Sequence, residues 1–473
     1  VGHAADPRLR SLVESAYKAL TAGKLTDAEI DCRRALALDP GNSAALFVLG
    51  QLAYLAHQYD EAVALLQRAL KGNRRNVEAH CTLGLALLAL GRRDDALAAM
   101  SRARTLRPDF AAVHSNLGLA QKETGQLDEA LTSFNRAIAI DPGYSEAYFG
   151  RALVALLRGD TRTTWRDHEW RVALRQRRPG YVFDPRRPDT QAPLPSSLLP
   201  IDLAGLRVLA LGEQGLGDDL FFLRYAPVLK ARGARLAFLG DAKLRPLLSR
   251  VAAIDEMASA ERLPAPIDCV VAVGDLPLLA TAADDAVPPG PLPLDPDPAA
   301  QSAARRRLAT AGPAPYLGIT WRAGAEPQAG ARRVLRKELP VELLGRSVAG
   351  WPGTIIVLQR HPRPGEVEKF SLAAGAPAAD FSGTNDNLEE MLALLSLIED
   401  YAGVSNTNMH LRAGLARSAR VLIPQPPEWR WTAAGERSPW FPGFALYRED
   451  GQSGWPRALE RLRKDLLAAA GRP

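Results

Sequence analysis

Across the first third of this 473-residue chain, the same small residues return every 34 positions. Alanine stands at Ala28, Ala62, Ala96 and Ala130, and again at Ala35, Ala69, Ala103 and Ala137, while Gly50, Gly84 and Gly118 keep the same step. Pro40, Pro108 and Pro142 close three of the units. Small residues at one fixed period let paired helices approach closely, and a proline ends the second helix of each pair. One such unit cannot bury its own apolar face, so the units must stack on one another.

This is the spacing of a tetratricopeptide array. It predicts units at 9–42, 43–76, 77–110 and 111–144, then a helix from Ser145 to Arg158, with Gly23, Gly91, Gly125 and Gly159 at the turns. Thr161 to Arg178, with Trp165 and Trp170, reads as a capping helix that shields the last unit, so the repeat domain spans 1–178. The proline-rich stretch 179–200 reads as a linker. An array of this kind offers a groove to another macromolecule. The remaining two thirds of the chain must do something else.

Composition narrows the classes. A hydrophobic fraction of 47% with 24% charged residues is that of a folded globular protein and excludes disorder over most of the length. The net charge of +6 is mild and spread out, and aromatics make up only 6%, so a nucleic-acid surface of basic residues interleaved with aromatics is not expected. The surplus fits anion handling at a site. Cys32, Cys81 and Cys269 lie far apart without metal-ligand spacing and read as buried thiols. No secretory signal and no uninterrupted 18-residue apolar run appears, which makes the expected setting cytoplasmic, without a membrane span.

From Leu206 the period changes. Arg207–Leu211, Arg235–Leu239 and Cys269–Val273 are strand-like and alternate with helical spacing such as Leu220–Arg232, which implies a parallel sheet covered on both faces. After a second proline-rich break at Val287–Pro298 the alternation restarts, with strands expected at Tyr316–Trp321, Thr354–Gln359, Tyr401–Val404 and Arg420–Pro424 and a helix at Leu388–Ile398. Two lobes result, 201–300 and 301–473. Ligands of such sheets sit in a crevice at the carboxyl ends of the strands.

Four constellations fall on those ends. The loop Gln214, Gly215, Leu216, Gly217, Asp218 opens a helix and offers backbone N–H groups to a polar ligand, although glycine is common in strand-to-helix turns and this one lacks both the lysine of a Walker loop and the dinucleotide fingerprint. Ser405, Asn406, Thr407 and Asn408 pool hydroxyls and amides at a helix start, more than one N-cap requires, and suit a pyrophosphate. His410 follows in the first turn, either as a ligand or as a core histidine. Arg322 and the cations up to Lys337 form a loop that closes over phosphates or is simply solvated, and Gln359, Arg360 and His361 end another strand.

The segments GEQGLGDDLFFLRYAPVLKARGARL, GVSNTNMHLRAGLA and PEWRWTAAGERSPWFPGF resemble bacterial tetratricopeptide-repeat glycosyltransferases whose catalytic half is similar to glycosyltransferase family 9, the heptosyltransferases. The resemblance covers nearly the whole chain. It implies a GT-B fold of two Rossmann-like lobes after the α-solenoid, a nucleotide-sugar bound mainly by the C-terminal lobe, an acceptor on the N-terminal lobe, and neither an essential metal nor a cofactor. By position, Asp218 matches the general base, Lys337 a lysine that offsets donor phosphate charge, and His410 the histidine of an Asp-Thr-x-x-x-His segment. Ser405 and Asn406 stand where that aspartate and threonine are usual.

The expected activity is inverting, metal-independent transfer of a sugar from a nucleotide-sugar to an acceptor, a protein or peptide held by the repeats, with Arg322, Lys337, Gln359, Ser405–Asn408 and His410 on the donor side. The Asp-x-Asp pattern at Asp295–Asp297 lies in a proline-rich linker and reads as turn chemistry. In the related O-linked N-acetylglucosamine transferases an asparagine ladder grips peptide backbone; the equivalent positions here are Val48, Thr82 and Asn116, of which only Asn116 fits. The alternative is a noncatalytic scaffold, in which the repeats bind a partner and the GT-B half senses a nucleotide or is vestigial. The replaced aspartate at Ser405 supports it.

Overall fold

Helix pairs joined by tight turns occupy the first part of the chain in the computed structural model, which describes residues 6–161, 164–171, 202–213, 215–259, 267–280, 288–323, 337–451 and 453–471. The helices are α1 Pro7–Thr21, α2 Leu25–Leu38, α3 Ser43–Leu55, α4 Tyr59–Gly72, α5 Val77–Ala89, α6 Arg93–Leu106, α7 Ala111–Glu123, α8 Leu127–Ile140 and α9 Ser145–Leu157. Their bounds follow from local chemistry. Asn42 and Asn76, one period apart, each accept a backbone N–H three residues on and so satisfy a donor that the first helical turn leaves open.

The periodic alanines are buried, which is what close helix packing needs. The periodic glycine does the same at one more contact in the second, third and fourth units. A Cβ at Gly50 would stand 2.7 Å from Leu66, one at Gly84 2.7 Å from Met100, and one at Gly118 3.0 Å from Phe134. Each of those glycines therefore makes room for the large side chain of the paired helix.

A second compact unit begins at Ala155. Its first sheet has the order β3-β2-β1-β4, all parallel, from β1 Arg207–Leu211, β2 Arg235–Leu239, β3 Glu256–Met257 and β4 Cys269–Ala272. The second has the order β10-β11-β9-β8-β5-β6-β7, from β5 Tyr316–Thr320, β6 Thr354–Val357, β7 Ala378–Asp380, β8 Asp400–Val404, β9 Arg420–Ile423, β10 Arg437–Ser438 and β11 Phe441–Arg448. Only the β10–β11 pair is antiparallel. Both sheets are buried on two faces, as the apolar runs require. In the second, Leu317, Ile319, Ile355, Val357, Ala402 and Val404 point to one apolar cluster, while Ile356, Tyr401, Val421 and Ile423 point to the other. That other cluster continues into the first sheet through Val208, Ala210, Leu236 and Phe238.

One expectation needs correction. Of the Thr161 to Arg178 segment read as a cap on the repeats, Thr164–His168 forms a short helix and residues 162–163 and 172–178 lie outside the described residues; Trp165 is 5% exposed inside the α/β unit, edge-on to Phe222, Tyr225, Trp429 and Trp440. An indole needs a large apolar pocket, and this aromatic cluster supplies one. The C-terminal tail, to which the sequence reading assigned no element, forms β10, β11 and the helix Pro456–Ala469 and extends the second sheet beyond β9. Linker 179–200 lies outside the described residues.

Candidate functional site

The carboxyl end of β1 leads into the glycine loop and the helix Leu216–Phe222. Gln214 lies outside the described residues. Gly215 precedes the helix in extended backbone, and its N–H donates to Asp218 Oδ2 at 3.4 Å, so Asp218 sits in the first turn where a negative charge offsets the helix dipole. Its other oxygen, Oδ1, accepts from Nη2 of Arg430, a residue 212 positions further along the chain. Arg430 comes from the turn Trp429–Trp431, and its guanidinium lies over the rings of Trp429 and Phe221 at 4.5 and 5.2 Å. Nη1 of Arg430 is 3.4 Å from Glu428 Oε2, and Glu428 Oε1 is 2.6 Å from Lys337 Nζ. A four-membered ion chain thus joins Asp218 to Lys337.

His410 closes the other side of the loop. A Cβ on Gly217 would stand 3.0 Å from the imidazole Cδ2, so a glycine is what lets the loop meet the ring. The imidazole stands edge-on to Phe441 at 5.3 Å, and burial, followed by the positive charges of Arg224 and Lys337, pushes its pKa down to about 3. At neutral pH it is an uncharged hydrogen-bonding group. It also lines a small recess with Leu220, Arg224, Pro291, Leu292, Leu294 and Phe441. Arg224 is 2% exposed, bonds the carbonyls of Phe221 and Trp440, and has no carboxylate partner among the described residues.

A stability consequence follows for His410. Its folded pKa lies below the 6.5 of a free imidazole, so the unfolded chain binds the proton that the folded one refuses. The contribution is complete above about pH 6.5 and is lost as pH falls, with a slope approaching ~1.4 kcal/mol per pH unit. His410→Gln should flatten urea-melt stability by that slope between about pH 4 and 6.5. Parallel profiles for the two proteins would show that the imidazole is not shielded.

Other expected donor residues face inward. Gln359, 1% exposed, accepts the N–H groups of Trp321 and Arg322 at Oε1 and donates to the carbonyls of Arg322 and Arg360, splicing the ends of β5 and β6. All of its amide is engaged, so Gln359→Leu should cost about 2–4 kcal/mol in chemical denaturation because buried backbone groups lose their partners. A variant as stable as the parent would remove it from the sheet edge. Arg322 holds Glu366 and the His361 carbonyl. Asn406 donates to Thr320 Oγ1 at 2.9 Å and to Tyr401 Oη at 3.1 Å, and Asn408 reaches the same phenol at 3.4 Å. Ser405 is buried at the end of β8, and Thr407 opens the helix Thr407–Gly414, half-buried. The amides therefore knit β5, β8 and that helix together, while Asp218, Lys337 and His410 converge.

Reasoning from the sequence assigned no role to Glu428, Arg430 or Arg224. Their signal was the packing of charged residues among Trp429, Trp431, Trp440 and Phe441, since a charge inside an aromatic cluster is retained only with a partner or a task. In the repeats, Asn116 is half-buried beside the Cys81 thiol. Among the described residues no group of three or more His, Cys, Asp or Glu side chains is placed to hold a metal ion, and no helix is long and apolar enough to cross a membrane.

Known proteins resemble parts of this chain. The tetratricopeptide repeat family profile matches residues 81–145 and 122–161, and that of anaphase-promoting complex, cyclosome, subunit 3 matches residues 22–103. Protein FlbA of Caulobacter vibrioides (strain ATCC 19089 / CIP 103742 / CB 15) is 26% identical over 284 residues, 55% of this chain and 46% of FlbA. The chain thus spans less than half the length of this curated relative. Among solved structures, MamA is 23% identical, with a TM-score of 0.30 over 35% of this chain and 97% of MamA. YrrB, described as a TPR protein with an unusual peptide-binding site, is 21% identical, with a TM-score of 0.30 over 37% of this chain and 95% of YrrB. The N-terminal region is an array of tetratricopeptide repeats, and an α/β region with parallel sheets follows it.

Proposed function

We propose that the α/β unit is a GT-B glycosyltransferase similar to family 9 and that the repeats hold its protein or peptide acceptor. The donor is a nucleotide-sugar, and the mechanism inverts the anomeric centre without a metal or cofactor. The acceptor hydroxyl attacks C1 of the sugar from the face opposite the nucleotide. The bond from C1 to the phosphate oxygen breaks, the nucleoside diphosphate leaves with the electron pair, and the hydroxyl proton passes to Asp218. Lys337 offsets the charge that grows on the leaving group, and the neutral imidazole of His410 donates or accepts a hydrogen bond beside it.

One observation carries this reading. Asp218, in the helix that follows β1, is joined through Arg430 and Glu428 to Lys337, which follows β5, while Gly217 abuts His410. A carboxylate and a cation linked through one ion chain support this reading, since glycosyl transfer needs a base and a phosphate-neutralising charge. The scaffold alternative draws support from the same chain, since Asp218, Lys337 and Arg322 each already hold an oppositely charged partner.

Calorimetric titration with UDP-, ADP-, GDP- and CMP-sugars, followed by a hydrolysis and transfer assay on the donor that binds, tests the proposal. Binding with turnover supports a transferase. Binding without turnover on any acceptor favours the scaffold, and no binding removes both nucleotide roles.

A further inference from the structure

Positive and negative side chains alternate along one run of ion pairs in the order Lys337, Glu428, Arg430, Asp218. Glu428 splits its carboxylate between two cations, Oε1 facing Lys337 at 2.6 Å and Oε2 facing Arg430 at 3.4 Å. The exposure of these side chains is 23% for Lys337 and Asp218, 11% for Glu428 and 10% for Arg430, so solvent screens them little. Arg430 also has spare capacity, because its Nε is buried with no hydrogen-bond partner among the described residues. Two cations bridged by a single two-oxygen anion make the geometry in which an arginine and a lysine hold a phosphate.

We propose that Glu428 is a placeholder: the pyrophosphate of the donor displaces its carboxylate, takes Lys337 and Arg430 as ligands, and draws Arg430 away from Asp218. This deepens the glycosyl-transfer reading and rests on it. The ion chain is electrically balanced, two cations against two carboxylates, so an incoming pyrophosphate meets repulsion from Glu428 until that side chain turns out. Arg430 is shared between Glu428 and Asp218, and a guanidinium that reorients to a phosphate loosens its grip on Asp218. The base is then free to take the hydroxyl proton only when donor is present. Arg430 becomes a donor ligand, and Glu428 sets both donor affinity and the order of events.

The test is calorimetric titration of the full chain with UDP, ADP, GDP and inorganic pyrophosphate, comparing the parent with Glu428→Gln and Glu428→Ala. Removing the competing charge should tighten the diphosphate that binds the parent, and pyrophosphate, by about tenfold in both variants, whereas Arg430→Met should weaken them by a similar factor. A side chain that only supported the fold would not raise affinity when removed. Thermal melts of each variant identify a folding defect, and using two Glu428 variants keeps the test open if one of them fails to fold. Unchanged or weaker binding in Glu428 variants that remain folded overturns the placeholder and leaves the transferase reading standing. If no diphosphate binds the parent, both fall together.

Discussion

Asp218→Asn is expected to lower the rate of sugar transfer roughly 10²–10⁴-fold, the share of catalysis that a positioned general base supplies. The substitution keeps the shape of the side chain and its place in the first helical turn, where Gly215 N–H meets it. What it removes is the charge that accepts the hydroxyl proton. Affinity for the nucleoside diphosphate should not fall, because Lys337 and Arg430 remain and Arg430 loses a competing carboxylate. The measurement is turnover and nucleotide binding on the same protein preparation. A variant that turns over at the parental rate would take Asp218 out of the mechanism, and one that loses nucleotide binding together with turnover would make it a structural residue of the crevice.

Arg171→Ala should destabilise the α/β unit by about 3–5 kcal/mol, the cost of leaving buried carboxylates without their cation. Arg171 is 3% exposed and sits between Glu213, at 2.7 Å, and Asp275, at 2.6 Å. Those two carboxylates lie just beyond the ends of β1 and β4, neighbours in the first sheet, so the guanidinium ties the two strand ends together. Burial pushes the Asp275 carboxyl up to about 6 against the pull of Arg171, a sign of how expensive the charge is at that position. Glu213 also accepts the Gly274 N–H, while its own N–H reaches Asp219, so the loop that carries Asp218 depends on this cluster. Urea denaturation followed by near-ultraviolet circular dichroism gives the loss directly. Adding Asp275→Asn to Arg171→Ala should recover part of it, because a neutral amide is cheaper to bury than an unpaired carboxylate. A loss below about 1 kcal/mol in the single variant would mean that the three charges are not buried as a unit.

Much of the fold was legible because it is periodic. The helix bounds near Pro7, Ser43, Val77, Ala111 and Ser145 followed from the 34-residue step, and the strands at Arg207, Arg235, Cys269, Tyr316, Thr354 and Arg420 followed from short apolar runs ending in glycine or polar residues. The runs that failed to announce themselves were the short or edge strands: β3, β7 and the β10–β11 hairpin, whose Pro442 and Gly443 look like loop residues. Gln359 shows a different failure. Its position at a strand end was right, yet its amide proved to be bound to backbone, and no sequence pattern distinguishes an amide that awaits a ligand from one already paired.

The sequence alone determined that a stack of helix pairs is followed by two parallel sheets, and it placed Asp218 and His410 just beyond strand ends and Lys337 on the loop after another strand, because periodicity and strand-end position are properties of neighbouring residues. Only the tertiary structure decided that Asp218 meets Arg430, that Glu428 divides itself between Arg430 and Lys337, and that Trp165 packs in the α/β core. Apart from Glu428 and Arg430, which are two positions apart, those pairings join residues tens to hundreds of positions apart. They are set by how the apolar faces pack and by the need of each buried charge for a partner, which no local pattern encodes.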